Sequence, residues 1–385
     1  GTALSIALYL IGFAESFNAY FGYATDINGL RLSGSIALLA LLVIALISTS
    51  FALKTQFFIL LAIVVSLVSI FLGTSDYAPE TINLIADEGS VPMEIIFAIF
   101  FPAVTGFTAG IAMSGDLKDP KKAIPLGTIA AIGVGFVVYI ILAFFISYYI
   151  DSETLKEDYN ILMKIAIYAP AVVAGIWGAT LSSALGGILG APRILQAMSI
   201  DSITPKIFGK VKGKNDEPIN ALLLVFLMAQ FGVLIGELDV IARVVSMFYL
   251  AAYGFINLSF FLESWANPDF QPTFKVKKWI GLVGFVACFG VMFKLDVLAM
   301  FASIAIILGI YAWLQRKQIV LMTGDVWLSV WKKIVANGLQ KIESKPTETS
   351  NQWNPNIILF SGESEHRTYL VELGKTLAGR AGIVT

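Results

Sequence analysis

Apolar and polar positions alternate along this chain in blocks of membrane length. Apolar runs fall at roughly 3–21, 33–50, 57–73, 93–114, 124–150, 169–190, 219–236, 240–262, 279–293 and 297–314. Runs near 20 residues match the length of a helix crossing a bilayer, so the pattern predicts an all-α membrane domain of about ten spans over 1–314. The run at 279–293 is short. It either thins the bilayer or pairs tightly with the next run, and the three-residue connection Lys294-Leu295-Asp296 fits a helical hairpin. The run at 93–114 differs from the others because Pro102, Gly106 and Gly110 interrupt it. Proline lacks a backbone donor and clashes with the preceding turn, and glycine costs about 1 kcal/mol in a helix interior. A break at membrane depth is tolerated where it is buried in protein or lines a cavity, and transporters bind ions at such breaks.

The connecting segments set an orientation. Counted alternately, one side receives Lys54, Lys118, Lys121, Lys122, Arg193, Lys206, Lys210, Lys212, Lys214, Lys275, Lys277 and Lys278. The other receives Arg31, Lys156, Lys164 and Lys294, with Asp76, Glu80, Asp87 and Glu88 in one long acidic loop. The positive-inside rule makes the first side cytoplasmic and leaves the C-terminal tail there as well. The stretch 161–169 is apolar but too short to cross, and reads as an interfacial or re-entrant piece.

Beyond residue 314 the pattern changes. Residues 315–352 hold an amphipathic segment at 320–342, with Trp327, Trp331, Lys332 and Lys333, that fits a helix lying on the membrane surface, followed by a polar linker. Residues 353–385 read as strand, loop and helix (strand 357–360, helix 369–378), with a second strand about to begin at 382. That is the opening of a cytoplasmic α/β domain. The chain opens Gly1-Thr2 without methionine or signal peptide and ends inside this unit, so it reads as a piece cut at both ends.

Composition agrees with the pattern: 57% hydrophobic residues, 14% charged and a net charge of −1, with a mean hydropathy of +0.80. The single cysteine, Cys288, leaves no disulfide framework, and the single histidine, His366, lies in the tail. No phosphate-binding loop, nucleophile elbow or metal-ligand spacing occurs, so an enzyme has no support and no cofactor is expected.

The candidate chemistry is neutral ligand chemistry. The broken span offers the Thr105 hydroxyl, the Gly106 and Phe107 amides and the Pro102 carbonyl, or else it is a proline kink that only shapes packing. Ala179-Thr180-Leu181-Ser182-Ser183 presents hydroxyls suited to sodium, or small residues for close helix packing. Tyr9 and Tyr253 are intramembrane phenols that need partners. Glu15, Glu94 and Arg243 are the main ionisable groups within the apolar runs. Intramembrane charges are functional candidates, and headgroup contact or a salt bridge is the other reading for the two glutamates.

Phe101-Pro-Ala-Val-Thr-Gly106, followed by Ser114-Gly-Asp-Leu-Lys-Asp-Pro-Lys-Lys-Ala-Ile-Pro-Leu-Gly-Thr128, resembles the cation–chloride cotransporter family. So do Gly178-Ala-Thr-Leu-Ser-Ser-Ala-Leu185 with Ala191-Pro-Arg193, Asn215-Asp-Glu-Pro218, Glu237-Leu-Asp-Val-Ile-Ala242, Phe248-Tyr-Leu-Ala-Ala-Tyr253 and Trp353-Asn-Pro-Asn-Ile-Ile-Leu-Phe-Ser-Gly362. Together these motifs cover nearly the whole chain.

The resemblance implies a leucine-transporter-like, twelve-span fold of inverted repeats, entered here at its third span, with the first two spans lying upstream. It implies potassium held by Tyr9, Pro102 and Thr105. Chloride would be held by the amides of Gly106, Phe107 and Thr108 with Tyr253, and sodium by Ala179, Ser182 and Ser183. Glu15 would belong to an external gate whose arginine partner lies upstream. The adjacent serines favour sodium dependence, and Tyr9 favours potassium. The implied activity is electroneutral sodium–potassium–chloride symport by alternating access, in a homodimer with no nucleic-acid partner. Two other readings stand beside it. One is an amino-acid permease of the same amino acid–polyamine–organocation superfamily, which shares the Lys118–Pro125 loop. The other is a non-transporting regulator that kept the fold.

Overall fold

The computed structural model describes residues 1–47, 49–79, 91–112, 114, 117–158, 160–211, 218–267, 270–272, 276–316, 326–343, 356–357, 368–378 and 383–384. The chain divides into two compact units, Gly1–Asp325 and Val326–Thr385.

Among the described residues, the regular elements of the first unit are all helices. It runs α1 (Thr2–Phe21), α2 (Ile27–Ile47), α3 (Thr49–Phe71) and α4 (Met93–Phe100), a 3-10 turn Phe101–Val104, and α5 (Ala109–Ala112). Then come α6 (Pro120–Tyr149), α7 (Ser152–Glu157), α8 (Ile161–Ile165), α9 (Ala169–Ile200), α10 (Ile219–Ile235), α11 (Leu238–Ala266), α12 (Lys278–Leu295) and α13 (Val297–Arg316). Among the described residues, six helices are long and apolar enough to cross a membrane, and four shorter apolar stretches lie at Thr55–Phe71, Met93–Val104, Ile219–Ile235 and Val297–Trp313.

Most helices overrun the apolar run that announces them. α9 continues past residue 190 through Pro192 and Arg193, and α3 begins at Thr49, so that Lys54 lies on a helix rather than in a loop. Helical hydrogen bonding does not stop where the hydrocarbon stops, and polar residues at helix ends sit among the headgroups. The stretch expected to be interfacial forms the single turn α8, with Ile161 and Ile165 buried against α6 residues Phe145 and Ile146. α12 and α13 do form a hairpin, with the Asp296 carboxylate accepting the Ala299 N–H at 2.9 Å, but α12 packs mainly on α11. The charged positions Glu80, Asp87, Glu88, Lys212, Lys214 and Lys275 lie outside the described residues.

α1 is the hub of the unit. Ile6, Leu10 and Ile11 are fully buried in one core with Leu38 of α2, Ile188 of α9, Val233 of α10 and Ile241 and Val245 of α11. In lipid, apolar side chains gain little by leaving the solvent, so close backbone approach through small residues has to hold helices together. The contacts show this directly. A Cβ added at Gly187 would lie 2.7 Å from Ile6, and one added at Gly175 would lie 2.3 Å from the Ser66 Cβ. The α3–α9 seam therefore closes around Gly175. α6 is the opposite case, with no buried residue over its 30 positions.

In the second unit α14 (Val326–Glu343) is amphipathic, with Trp327 and Trp331 exposed. The start of its expected range, 320–325, lies outside the described residues. β1 (Asn356–Ile357) and β2 (Ile383–Val384) pair in parallel, Asn356 opposite Ile383 and Ile357 opposite Val384. α15 (Thr368–Ala378) connects them and touches both. A parallel pair needs such a crossover, so this is a βαβ unit. Expected strand residues 358–360 lie outside the described residues.

Gly175→Val pushes two methyl groups into a seam with no room for one carbon. The expected loss of stability is at least about 1–3 kcal/mol, read as a lower thermal midpoint of the detergent-purified protein, with Gly175→Ala intermediate.

Candidate functional site

The site begins with a backbone accounting problem. α4 runs into Pro102, which has no N–H to offer the Ala98 carbonyl one turn back. That carbonyl instead accepts the Ser246 hydroxyl of α11 at 2.6 Å, and Ser246 is wholly buried. The Pro102 carbonyl accepts the Thr105 N–H at 3.2 Å and the Thr105 hydroxyl at 2.6 Å. The Ala103 carbonyl accepts the Tyr139 hydroxyl of α6 at 2.8 Å. Three carbonyls at the break are thus held by three hydroxyls, one from the break itself and two from other helices.

The amides fare differently. Thr105 is extended, and Gly106 turns the chain at φ 97° with open space where a Cβ would stand. Only glycine adopts that conformation without strain. Hydrogen bonding resumes with the Ile111 N–H donating to the Thr108 carbonyl, at the start of α5. Among the described residues, the N–H groups of Gly106, Phe107 and Thr108 have no backbone acceptor.

An aromatic column starts from this turn. Phe107 stacks on Tyr253 with centroids 5.4 Å apart at 26°, and Tyr253 stacks on Tyr249 at 5.7 Å and 18°. The Tyr249 hydroxyl is held by Ser5 of α1 at 3.1 Å. The Tyr253 hydroxyl is buried and has no partner of hydrogen-bond geometry, although the Thr108 side chain lies close enough to act on it. Tyr9, from α1, interacts with the Thr105 side chain and lies near Tyr139, Tyr249 and Tyr253.

Of the eleven positions singled out from sequence, six side chains or carbonyls meet here: Tyr9, Pro102, Thr105, Phe107, Thr108 and Tyr253, with Gly106 forming the turn between them. Ala179, Ser182 and Ser183 lie on α9. α5 packs against that helix, so the second half of the break adjoins the serine-bearing element. The Ser182 hydroxyl donates to the Gln56 side-chain oxygen of α3, and Ser183 is exposed. Thr180 turns back to its own helix, donating to the Ile176 carbonyl at 2.8 Å. Glu15 lies apart from the cluster. It is exposed near the end of α1, and the charge acting on it is the Asp239 carboxylate. Among the described residues no cation pairs with Glu15, whereas Glu94 lies 3.9 Å from Lys294.

Sequence reasoning missed Ser246, Tyr249, Tyr139 and Gln56. The first two carried a readable signal. Ser246, Tyr249 and Tyr253 stand three and four residues apart in an otherwise apolar run, so they share one helix face.

Residues 1–329 match the amino acid permease family. The chain belongs to that family. Within it, the chain is 33% identical to the mouse (Mus musculus) protein "Solute carrier family 12 member 2", over 82% of this chain and 31% of the mouse protein. It is 30% identical to the Squalus acanthias protein of the same name, over 99% of this chain and 37% of the relative. It is 28% identical to the Manduca sexta "Bumetanide-sensitive sodium-(potassium)-chloride cotransporter", over 99% of this chain and 42% of the relative. The chain thus spans between about a third and two fifths of the length of these relatives. They are transporters rather than enzymes, and the resemblance to cation–chloride cotransporters read from the motifs stands on them. As a member of the permease family, the chain is an integral membrane protein with a helical transporter fold.

Ser246→Ala leaves the Ala98 carbonyl buried and unpartnered, at a cost of about 1–3 kcal/mol. A measurable drop in thermal midpoint is expected. An unchanged midpoint means that the carbonyl has another donor.

Proposed function

We propose that the protein is a secondary active symporter that couples sodium, potassium and chloride across the membrane by alternating access, with no net charge moved. The observation that carries this reading is the buried Tyr253 hydroxyl without a hydrogen-bond partner, on a ring stacked against Phe107 of a turn whose Gly106, Phe107 and Thr108 N–H groups have no backbone acceptor among the described residues. Buried donors without acceptors are costly. An anion relieves that cost, and chloride is an anion small enough to sit at a helix break.

The opposite chemistry lies within the same turn. The Pro102 carbonyl and the Thr105 hydroxyl are 2.6 Å apart, and Tyr9 adds a phenol oxygen. Three neutral oxygens suit a weakly hydrated monovalent cation, so potassium is assigned here. The Thr105 proton, now given to Pro102, turns outward when a cation arrives, leaving both oxygens facing it. Opposite unit charges about 4 Å apart attract by roughly 4 kcal/mol at an effective dielectric constant near 20, so each ion lowers the desolvation cost of the other. That coupling accounts for obligatory co-transport without a titrating carboxylate. Sodium is assigned to the Ala179 carbonyl with the Ser182 and Ser183 hydroxyls on α9, and Glu15 to the external gate.

The reading extends to the architecture. Six long and four shorter apolar helices coincide with the ten expected spans, which supports ten spans of a leucine-transporter-like inverted repeat. The exposed Gly106 and Ser183 and the uncovered α6 support a further broken helix of the whole transporter closing the ion sites on this face. The loop charges support a cytoplasmic side for the βαβ unit, and its regulatory role and a homodimer rest on the motif resemblance alone. The Manduca sexta relative is named for sodium, potassium and chloride, in agreement with this assignment. The name of the matching family favours a second reading, an amino-acid permease.

Uptake of rubidium, as a potassium surrogate, into vesicles carrying the full-length protein is expected to require both sodium and chloride. Thermal stabilisation by amino acids and none by chloride reverses the choice between the two readings. Ser183→Ala is expected to abolish the sodium requirement. Undiminished sodium-stimulated rubidium uptake in that variant removes Ser183 from the sodium site.

A further inference from the structure

The α3–α9 seam has a register that continues into the serine pair. Ser66 lies against Gly175, the Ala62 carbonyl lies 3.5 Å from the position of a Gly175 Cβ, and Ile59 meets Gly178 at 3.3 Å. Going down α3 means going up α9, so the helices are antiparallel with contact positions one turn apart. The next step of that register brings Gln56 to Ser182, and the Ser182 hydroxyl donates to the Gln56 carboxamide oxygen. Gln56 is half-buried, two turns into α3. Its placement is set by a seam closed around Gly175, not by a free rotamer on a surface.

A serine hydroxyl has one proton and two lone pairs. To ligate a cation it must present lone pairs and send its proton elsewhere. Thr180, two residues earlier on α9, sends its proton to the carbonyl of Ile176 on its own helix. Ser182 sends it across the seam to α3. We infer that Gln56 is a positioning residue of the sodium site, whose carboxamide oxygen takes the Ser182 proton and thereby aims the Ser182 lone pairs at the cation. The inference rests on the assignment of sodium to Ser182 and Ser183 proposed above. It adds a third helix, α3, to that site, so the sodium affinity depends on how α3 and α9 sit against each other. Movement of α3 away from α9 takes the acceptor with it and weakens the site, which couples cation release to separation of the two helices.

The test uses the full-length protein in vesicles, with the half-saturation concentrations for sodium, rubidium and chloride measured separately. Gln56→Leu removes the acceptor while keeping the side-chain bulk, and is expected to raise the sodium value by about tenfold, the equivalent of one hydrogen bond. Rubidium and chloride values stay unchanged. Gln56→Glu keeps an acceptor oxygen toward Ser182 and restores sodium affinity. If Gln56→Leu yields too little protein, stabilisation of purified Gln56→Glu and Gln56→Ala by sodium chloride against choline chloride reads the same quantity: Glu retains the sodium shift and Ala loses it. A sodium value unmoved by Gln56→Leu, or equal shifts for all three ions, overturns the role of Gln56 and leaves the symporter reading intact. Chloride-dependent rubidium uptake by the unmodified protein in the absence of sodium overturns the sodium assignment itself.

Discussion

Everything at the centre of this protein follows from one missing hydrogen bond. Pro102 cannot donate to the Ala98 carbonyl, and a membrane interior supplies no water to do so instead. The chain answers with hydroxyls: Ser246 for Ala98, Thr105 for Pro102 and Tyr139 for Ala103. Two of these bonds tie the break to α11 and α6 and the third closes it on itself, so the break is a fixed shape rather than a flexible joint. The amides beyond it get no such treatment. Carbonyls held and amides left open is an asymmetry that suits a turn built to receive an anion.

The packing around the break explains how it can be both rigid and accessible. α1 brings Tyr9 and Ser5, and its other faces are buried among α2, α9, α10 and α11. α11 brings Ser246, Tyr249 and Tyr253 on a single face, so the hydroxyl that repairs the proline and the phenol left without a partner are placed by the same helix. α9 brings the serines and is held to α3 through Gly175 and to α1 through Gly187, where no larger residue fits. The oxygens on α9 and the turn at Gly106 are therefore referenced to one hub. α6 is the exception, uncovered along its length yet linked to the break by the Tyr139 hydroxyl.

Much of the fold was legible because membrane insertion writes itself into composition. Apolar runs of spanning length, lysines concentrated on one set of alternate connections and a proline–glycine interruption are local signals. The ten stretches they mark are where the apolar helices lie. Helix ends were less legible, as at Thr49 and beyond Gly190, because hydrogen bonding carries a helix past its apolar stretch. The candidate site was legible where the residue type was chemically odd for lipid: Pro102, Tyr9, Tyr253 and the serine pair. Gln56 and Tyr139 were not, since a lone glutamine near a helix start and one tyrosine among several give no hint of which carbonyl or hydroxyl they reach.

The sequence by itself determined that this chain lives in a bilayer, where its apolar helices lie, and that one of them is interrupted around Pro102–Gly106, because those outcomes depend on local hydrophobicity and backbone chemistry. Only the tertiary structure decided which groups repair the break and which stay open. Ser246 is 148 residues from Ala98, and Gln56 is 126 residues from Ser182. Such pairings depend on the register in which helices pack, and that register is fixed by the depth at which a glycine on one helix admits a side chain of another.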